Sequence, residues 1–448
     1  MKINLAYGKT GHTIELSDNY HIDIIEPHKT EGLNDQNIAI TNALRNPYNS
    51  VALKNIVKSN DKIAIIFSDI TRATPYEVIL PALLNELKNI PRENICFFCA
   101  TGTHRFATKE ELIKILGEHV AKNYEIIQND TNNSELHEYV GTTTSGNRVL
   151  VNKKILDYDL KILTGFIEPH FFAGFSGGGK ALVPGMANVE TIKFNHSIKK
   201  LSLETVNWGI TYGNPLWEEI MESAEFVPNL FLLNITLNKN KEITNVFAGD
   251  LRTAHMAGCQ FVKDSAMVSV DKKYDIVITS NSGYPLDLNI YQTVKGMSAA
   301  AQIVKKGGTI IMVAECWDGI PCNSDYEKIL TSVNSVEELM EFIKKNETTL
   351  KDTWQIYFQA LIQQKAKVYI YSDQLNDETI KRTFLNPTNN IRSLIDELAR
   401  RIGPQTKICV LPEGPQTIPY VLNERPLNHI PNKFNKNIIS TTVITGNK

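Results

Sequence analysis

The chain has 448 residues, with 47 basic and 49 acidic side chains and a formal net charge of −2. This balance gives no electrostatic footprint for nucleic acid or for an anionic membrane surface. The length suits two domains with separate cores, and no apolar run is long enough for a secretory leader or a membrane span, so we expect a cytoplasmic protein that binds a small molecule.

Short apolar runs alternate with stretches of helical periodicity, which predicts βαβ units and an α/β fold with largely parallel sheets. A composition shift at residues 269–273 separates a first domain, residues 1–268, from a second domain, residues 269–411. The tail, residues 412–448, is expected either to pack back on the first domain or to fray. In the first domain, strands are predicted over 63–67, 94–100, 124–128, 160–167, 231–237 and 243–247, and helices over 75–89, 108–116, 189–199, 215–224 and 251–262. In the second domain, strands are predicted over 274–279, 308–313, 367–371 and 406–411, and helices over 290–304, 336–345, 353–363 and 391–401.

Polar segments follow four of these predicted strands directly. In open parallel sheets, ligands bind beyond the carboxyl ends of the strands, where loops and helix N-termini converge. We therefore expect these segments to build one site. They are residues 68–72, 101–105, 168–170 and 280–285.

A glycine-rich loop, residues 171–181, follows the strand predicted over 160–167. Four glycines ahead of Lys180 expose backbone N–H groups and let an anion approach closely, which indicates a phosphate-binding role. The spacing from Gly174 matches a P-loop up to the last position, where Ala181 replaces the Ser or Thr that holds magnesium, so a nucleotide hydrolase stays open as an alternative. Burial or nearby cations would make the Lys180 amine nucleophilic, so it is also a candidate covalent anchor.

Three of the ten histidines stand out by position. His104 and His170 each lie where a predicted strand passes into a loop, so they can face each other across a crevice as a general acid and a general base. His196 lies on the predicted helix downstream of Lys180, where its imidazole is a candidate metal ligand.

The start of the helix predicted over 290–304 carries a possible carboxylate site. Tyr291 and Lys295 are four residues apart and share a face, with Gln292 beside them. A phenol, an amide and a cation near a helix N-terminus suit a carboxylate, and Arg72 from the first domain could bind the same group through two hydrogen bonds. The alternative is an ordinary amphipathic helix with a solvated lysine.

Five segments taken in order resemble the signature set of the nickel-dependent lactate racemase family, although any one of them alone is weakly specific. They are Ser68-Asp69-Ile70-Thr71-Arg72, Ala100-Thr101-Gly102-Thr103-His104-Arg105, Glu168-Pro169-His170 through Lys180, Asn195-His196, and Ile290-Tyr291-Gln292-Thr293-Val294-Lys295-Gly296. The resemblance implies two α/β domains with the active site between them. It also implies a racemase or epimerase of a small 2-hydroxy acid, of which lactate is the first expectation.

The resemblance further implies a cofactor and a role for each candidate residue. The cofactor is a nickel-pincer nucleotide, Ni(II)-pyridinium-3,5-bisthiocarboxylate mononucleotide, which separate cofactor-synthesis proteins supply. Lys180 would hold it covalently, His196 would bind the nickel, and His104 and His170 would be the acid/base pair. The nucleotide part would contact Asp69, Ile70, Thr71 and Arg72. The substrate would contact Arg72, Tyr291, Gln292, Lys295 and Trp354, the last of which is matched on a single residue.

The chemistry of a 2-hydroxy acid favours hydride transfer over proton abstraction. Loss of the α-hydrogen as a proton would place a second negative charge beside a carboxylate, and the sequence shows no carboxylate cluster to bind a stabilising magnesium ion. Hydride removal avoids the dianion and gives each histidine a task, one for each enantiomer. Two further alternatives are a non-catalytic protein that binds a phosphate-bearing cofactor, and a nicotinamide dehydrogenase, which is disfavoured because no Gly-x-Gly-x-x-Gly lies between a strand and a helix.

Overall fold

Two six-stranded sheets, each covered by helices on both faces, organise the part of the chain that the structure describes. The computed structural model describes residues 1–322 and 324–422. All strand pairs within the two large sheets are parallel except one hairpin at the edge of the first sheet. The α/β fold with largely parallel sheets predicted from the sequence is therefore confirmed.

The first sheet separates two cores, because successive side chains of a strand point to opposite faces. Ile63, Ile65 and Phe67 pack into one core, and Ala64 and Ile66 pack into the other. In spatial order the strands are Ile243–Gly249, Leu230–Leu237, Leu160–Phe166, Ile63–Ser68, Ile95–Ala100 and Glu125–Gln128. The helices of this part of the chain are Gln36–Arg45, Leu53–Ile56, Tyr76–Glu86, Lys109–Leu116, Glu118–Asn123, Val189–Asn195, Ile198–Leu201, Pro215–Glu225 and Leu251–Ala266.

The second sheet is parallel throughout and is likewise buried on both faces. In spatial order its strands are Asn386–Pro387, Lys367–Tyr371, Val304–Val313, Tyr274–Ser280, Lys407–Leu411 and His21–Ile24. Its helices are Ile290–Ile303, Asp325–Thr331, Val336–Asn346, Thr353–Lys365, Asp377–Lys381 and Ile391–Ile402. In the described part of the chain, no helix has both the length and the apolar composition needed to cross a membrane.

Within the described residues, four two-stranded ribbons supplement the large sheets. They pair Lys2–Leu5 with His12–Glu15, His137–Thr142 with Arg148–Asn152, Pro169–His170 with Gly174–Phe175, and Met267–Val270 with Ile418–Val421. Short 3₁₀ helices lie at Arg92–Asn94, Ser134–Leu136, Lys153–Asp157, Gly178–Ala181 and Gly414–Gln416.

The N-terminal segment belongs to the second sheet, which corrects the predicted extent of the first domain, residues 1–268. The strand His21–Ile24 pairs in parallel with Lys407–Leu411 at the sheet edge, and Ile3 and Leu5 pack into the core beneath that sheet. The prediction was wrong for this segment because a four-residue strand carries no local sign of which sheet it will join.

The C-terminal segment returns to the junction between the two sheets. The 3₁₀ helix Gly414–Gln416 packs against the helix Ile290–Ile303, and Ile418–Val421 pairs in parallel with Met267–Val270. The rest of the predicted tail, residues 423–448, lies outside the described residues.

Candidate active site

A cleft with about 980 Å³ of empty space, part of it open to solvent, lies between the two sheets, at the carboxyl ends of the strands of the first sheet. We call this cleft the cavity. Ligands bind at this edge of open parallel sheets. The predicted site residues that line the cavity are Asp69, Arg72, His104, His170, Lys180, His196, Tyr291, Gln292, Lys295 and Trp354. Ile70 and Thr71 do not line it: Ile70 packs against the core of the first sheet, and Thr71 hydrogen-bonds Asp69.

Asp69 orients the imidazole of His104. The buried Asp69 carboxylate accepts a hydrogen bond from His104 Nδ1 at 2.6 Å and one from Thr71 Oγ1 at 2.7 Å. Burial acts to raise the pKa of Asp69, but the charge and hydrogen bond of His104, the Thr71 hydrogen bond and the Arg72 charge together lower it to about 2. An ionised carboxylate at Nδ1 keeps a proton there, so neutral His104 presents the lone pair of Nε2 to the cavity. Gln292 Nε2 lies 3.5 Å from that nitrogen.

His170 is held in the opposite tautomer. Its side chain is buried beside the Phe172 ring, at 4.5 Å between ring centroids. Its Nδ1 accepts the backbone N–H of Ala173 at 3.3 Å, so the proton of the neutral ring is on Nε2. Burial, followed by the charges of neighbouring cations with Lys180 first among them, keeps the pKa of His170 well below its ordinary value. Neutral His170 therefore presents an N–H, whereas the neutral form of His104 presents a lone pair.

The glycine-rich loop does not have P-loop geometry. The ribbon Pro169–His170 and Gly174–Phe175 closes the start of the loop, and Lys180 lies in the four-residue 3₁₀ helix Gly178–Ala181. A P-loop instead joins its strand directly to the N-terminus of an α-helix. The structure thus argues against the nucleotide-hydrolase alternative on geometry as well as on the residue at position 181.

Tight packing behind the loop requires glycine at position 178. Gly178 has φ +58, and its N–H donates to Asn234 Oδ1 at 2.8 Å. A Cβ at this position would lie 2.6 Å from the His255 ring. The loop backbone is therefore held against the first sheet, and Lys180 is directed into the cavity.

The Lys180 amine has a pKa near neutral pH. Its Nζ lies 5.5 Å from the centroid of the Phe172 ring. Burial first, and then the charge of Arg72, lower the pKa of Lys180 to about 7, with Glu168 acting in the opposite direction. A lysine that loses its proton this easily is a nucleophile at physiological pH.

The helix predicted over 189–199 is interrupted at the candidate metal ligand. The first helix, Val189–Asn195, ends with His196 as its C-cap, and a second short helix, Ile198–Leu201, begins after Ser197. The prediction of one continuous helix was wrong because the break depends on packing and not on a proline or glycine at the turn.

His196 is a buried, neutral imidazole. Its ring packs edge-on against Phe172 and Trp354, at centroid distances of 5.1 and 5.0 Å. Burial first, and then the charge of Lys180, keep the pKa of His196 well below its ordinary value. Its Nδ1 has no hydrogen-bond partner among the described residues. Neutral imidazole is the form that binds a metal ion.

The helix Ile290–Ile303 supplies the polar groups of the second domain. Trp354 Nε1 donates to the Tyr291 hydroxyl at 3.2 Å and fixes its position. Burial first, and then the Arg72 charge, keep the pKa of Lys295 well below its ordinary value. Gln292 Oε1 is buried without a hydrogen-bond partner in the part of the chain that the structure describes. Buried polar groups are normally paired, so the unpaired amide oxygen of Gln292 indicates a place for a ligand.

Three further residues, Glu168, Thr103 and Asp352, hold a residue of the site or join its two domains, although no individual role was assigned to any of them from the sequence. Glu168 Oε1 accepts a hydrogen bond from Arg72 Nη1 at 2.8 Å. Asp352, at φ +64, accepts one from Thr103 Oγ1 at 3.3 Å and so links the two domains; burial is the main cause that raises its pKa to about 6. These partners are 96 and 249 residues apart in the chain, so no local pattern could have revealed them.

Both halves of the chain match known domain families. Residues 7–208 match the lactate racemase N-terminal domain, and residues 270–418 match the lactate racemase C-terminal domain. The lactate racemase of Thermoanaerobacterium thermosaccharolyticum is 35% identical over 421 residues, which cover 93% of this chain and 98% of that protein. The lactate racemase of Lactiplantibacillus plantarum is 35% identical over 418 residues, which cover 92% and 98%.

Two solved structures are similar to this chain. The lactate racemase apoprotein from Thermoanaerobacterium thermosaccharolyticum superposes with a TM-score of 0.85 at 34% identity, covering 94% of this chain and 100% of that one. A protein from Thermotoga maritima superposes with a TM-score of 0.67 at 17% identity, covering 86% and 98%, and shares the fold.

Proposed function

This chain belongs to the lactate racemase family, and from that membership we propose that it is an isomerase that interconverts D- and L-lactate. The observation that carries the proposal is that two imidazoles, His104 and His170, line one cavity together with the cations Arg72 and Lys295. A racemase must handle the hydroxyl proton of both enantiomers, so a pair of imidazoles from separate loops fits the task.

The carboxylate of the substrate is assigned to Arg72 and Lys295. Arg72 presents a planar set of N–H donors that matches a carboxylate, and Lys295 adds a buried cation from the opposite domain. Tyr291 and Gln292 also line the cavity, and Trp354 holds the Tyr291 hydroxyl in place by a hydrogen bond. A bound carboxylate would also offset the positive charge that disfavours protonation of His170.

We further propose that the cavity holds the nickel-pincer nucleotide that the sequence resemblance implies, supplied by separate synthesis proteins. The residues present fit this group. Lys180 offers an amine with a pKa of about 7 for a covalent link, and His196 offers a buried imidazole with an unpartnered Nδ1. In the described residues, no group of three or more His, Cys, Asp or Glu side chains is arranged to hold a metal ion, so the other nickel donors would be those of the cofactor itself.

The proposed reaction leaves the protein a defined task at the hydroxyl oxygen. When bound, the cofactor would supply an electron-poor pyridinium carbon that accepts a hydride and returns it. His104 accepts the hydroxyl proton at Nε2, and Asp69 stabilises the imidazolium that forms. The opposite enantiomer would form when the hydride returns to the other face of the planar 2-oxo acid while the other imidazole, His170 in its protonated form, gives a proton to the carbonyl oxygen. For the reverse direction the two imidazoles exchange roles.

Loading the protein with the nickel nucleotide and screening single-enantiomer 2-hydroxy acids tests the proposal. We expect loss of optical purity with lactate, and an intact-mass increase that is absent in Lys180→Ala. Lactate left optically pure while a larger 2-hydroxy acid is racemised would change the substrate but not the reaction. Cofactor binding with no racemisation of any acid would favour a non-catalytic binding protein, and magnesium-dependent ATP hydrolysis would favour the nucleotide-hydrolase alternative.

A further inference from the structure

The 3₁₀ turn Gly414–Gln416 is connected to Arg72, the proposed substrate-binding arginine, through the buried Glu168. Glu168 is 4% exposed, and its two carboxylate oxygens have different partners. Oε1 accepts a hydrogen bond from Arg72 Nη1, and Oε2 accepts one from Gln416 Nε2, each at 2.8 Å. A hydrogen-bonded chain from Gln416 through Glu168 to Arg72 therefore crosses from the C-terminal segment to the cavity.

The turn that carries Gln416 is firmly seated. The 3₁₀ helix Gly414–Gln416 packs against the helix Ile290–Ile303, which also carries Lys295. Gly414 has φ +51, and a Cβ there would overlap the carbonyl oxygen of Ser280. This close approach needs glycine, so the turn sits directly on the second sheet. The same element of the fold therefore supports Lys295 and the amide of Gln416.

Glu168 both anchors Arg72 and balances its charge. A guanidinium has five N–H donors in a rigid plane, so a contact at Nη1 leaves other donors free to bind a carboxylate through two hydrogen bonds. The Glu168 carboxylate also raises the pKa of Lys295 and of Lys180, which burial and the Arg72 charge lower. Loss of the carboxylate would leave Arg72 free to rotate and would increase repulsion among the cations.

We propose that Glu168 and Gln416 are positioning residues for the substrate: they hold the Arg72 guanidinium in the orientation in which it binds the substrate carboxylate. The inference rests on the proposed function of the cavity. Both residues act through Arg72 and do not touch the reacting atoms. The turn Gly414–Gln416 thereby contributes to the affinity for the substrate.

Measuring KM and kcat separately, in the enzyme loaded with the nickel nucleotide, tests this role. Glu168→Gln should raise KM for both lactate enantiomers about tenfold, as loss of a charge-assisted hydrogen bond predicts, with a smaller change in kcat. Gln416→Ala should raise KM about threefold, since a neutral hydrogen bond is lost. The matched controls are Glu86→Gln and Gln363→Ala, which remove a buried carboxylate paired with Arg45 and an amide bonded to the Phe384 carbonyl, both away from the cavity. Neither control should change KM.

A double-mutant cycle shows whether the two residues act through Arg72. In an Arg72→Ala background, Gln416→Ala should not raise KM further, and Glu168→Gln should raise it by much less than tenfold, because only its charge effect on Lys295 remains. Increases as large as in the wild-type background, or an unchanged KM in both single variants, would overturn the proposal. Melting temperatures close to wild type confirm that each variant folds, and Gln416→Ala keeps the test available if Glu168→Gln does not.

Equilibrium binding separates this proposal from the proposed function. Calorimetric titration of lactate into the cofactor-free protein should show a Kd raised by the same factors as KM. If the wild-type protein racemises no 2-hydroxy acid but lactate binding weakens in Glu168→Gln, the racemase proposal fails and the positioning role stands. If the wild-type protein racemises lactate and the Kd is unchanged in both variants, the positioning role fails alone.

Discussion

The Lys180 amine should titrate near neutrality in the cofactor-free protein. The fall of its pKa from 10.5 to about 7 corresponds to roughly 5 kcal/mol in favour of the neutral form. About half of the Lys180 amines are then neutral at pH 7, against roughly one in three thousand for an ordinary lysine. This difference should appear as selective acylation of Lys180 at pH 7.

Neighbouring charges give the prediction a sign as well as a size. Burial is the largest cause of the lowered pKa, the Arg72 charge is the second, and the Glu168 charge opposes both. Arg72→Ala should therefore raise the pKa of Lys180, but not to 10.5, because burial remains. Glu168→Gln should lower it further, because the compensating negative charge is lost.

Competitive labelling with a small acylating reagent across pH 5 to 11 measures these shifts. The extent of labelling at Lys180 is read by peptide mass spectrometry, with the exposed Lys88 as the internal reference for reagent decay. We expect a midpoint near pH 7 in the wild type and shifts of opposite sign in the two variants. A wild-type midpoint near 10.5, or two shifts of the same sign, would refute this electrostatic account of the Lys180 pKa.

Three more predictions concern the two histidines, Asp69 and Gly178. His104→Ala and His170→Ala should each lower kcat for racemisation by roughly 10²- to 10⁴-fold while the cofactor adduct persists by intact mass; near-native rates with both enantiomers in either variant would disprove the assignment. Asp69, whose pKa is about 2 in the folded protein against 3.8 ordinarily, should contribute ~2 kcal/mol of stability above pH 4 that is lost as the pH falls toward 2. Urea unfolding at pH 6 and pH 3 should show about half of that loss in the wild type and a smaller one in Asp69→Asn. Gly178→Ala should cost about 1–3 kcal/mol in the free energy of unfolding, because its Cβ would meet the His255 ring at a positive φ, and an unchanged melting temperature would contradict this packing.

Local patterns predicted most of the strands and helices that bear the site. The capping box at Thr108 and Glu111 marks the start of a helix in the sequence and closes as expected in the structure, with reciprocal hydrogen bonds of 3.2 and 2.8 Å. The segments after the strands Ile63–Ser68, Ile95–Ala100 and Leu160–Phe166 meet at one cavity because adjacent parallel strands end at the same edge of a sheet. Strand order and burial pattern together are enough to place these loops.

Contacts between distant segments could not be predicted in the same way. The strand His21–Ile24 pairs with the strand Lys407–Leu411, which lies almost 400 residues later in the chain. Nothing in the residues of His21–Ile24 indicates that partner. Asp69 lines the cavity, and its hydrogen bond with His104, 35 residues away, has no local sign in the sequence. Its expected contact with the nucleotide part of the cofactor stays a prediction. Hydrogen bonds of this kind depend on where loops from different strands come to lie, which periodicity does not encode.

The central claim is that the imidazoles of His104 and His170 move only the hydroxyl proton. The hydrogen on C2 leaves as a hydride and returns to C2 without exchanging with solvent. Racemisation of D-lactate deuterated at C2, carried out by the loaded enzyme in ordinary water, tests this directly by mass spectrometry of the L-lactate formed. The account predicts L-lactate that retains deuterium at C2. L-lactate that carries hydrogen from the solvent at C2 would contradict it.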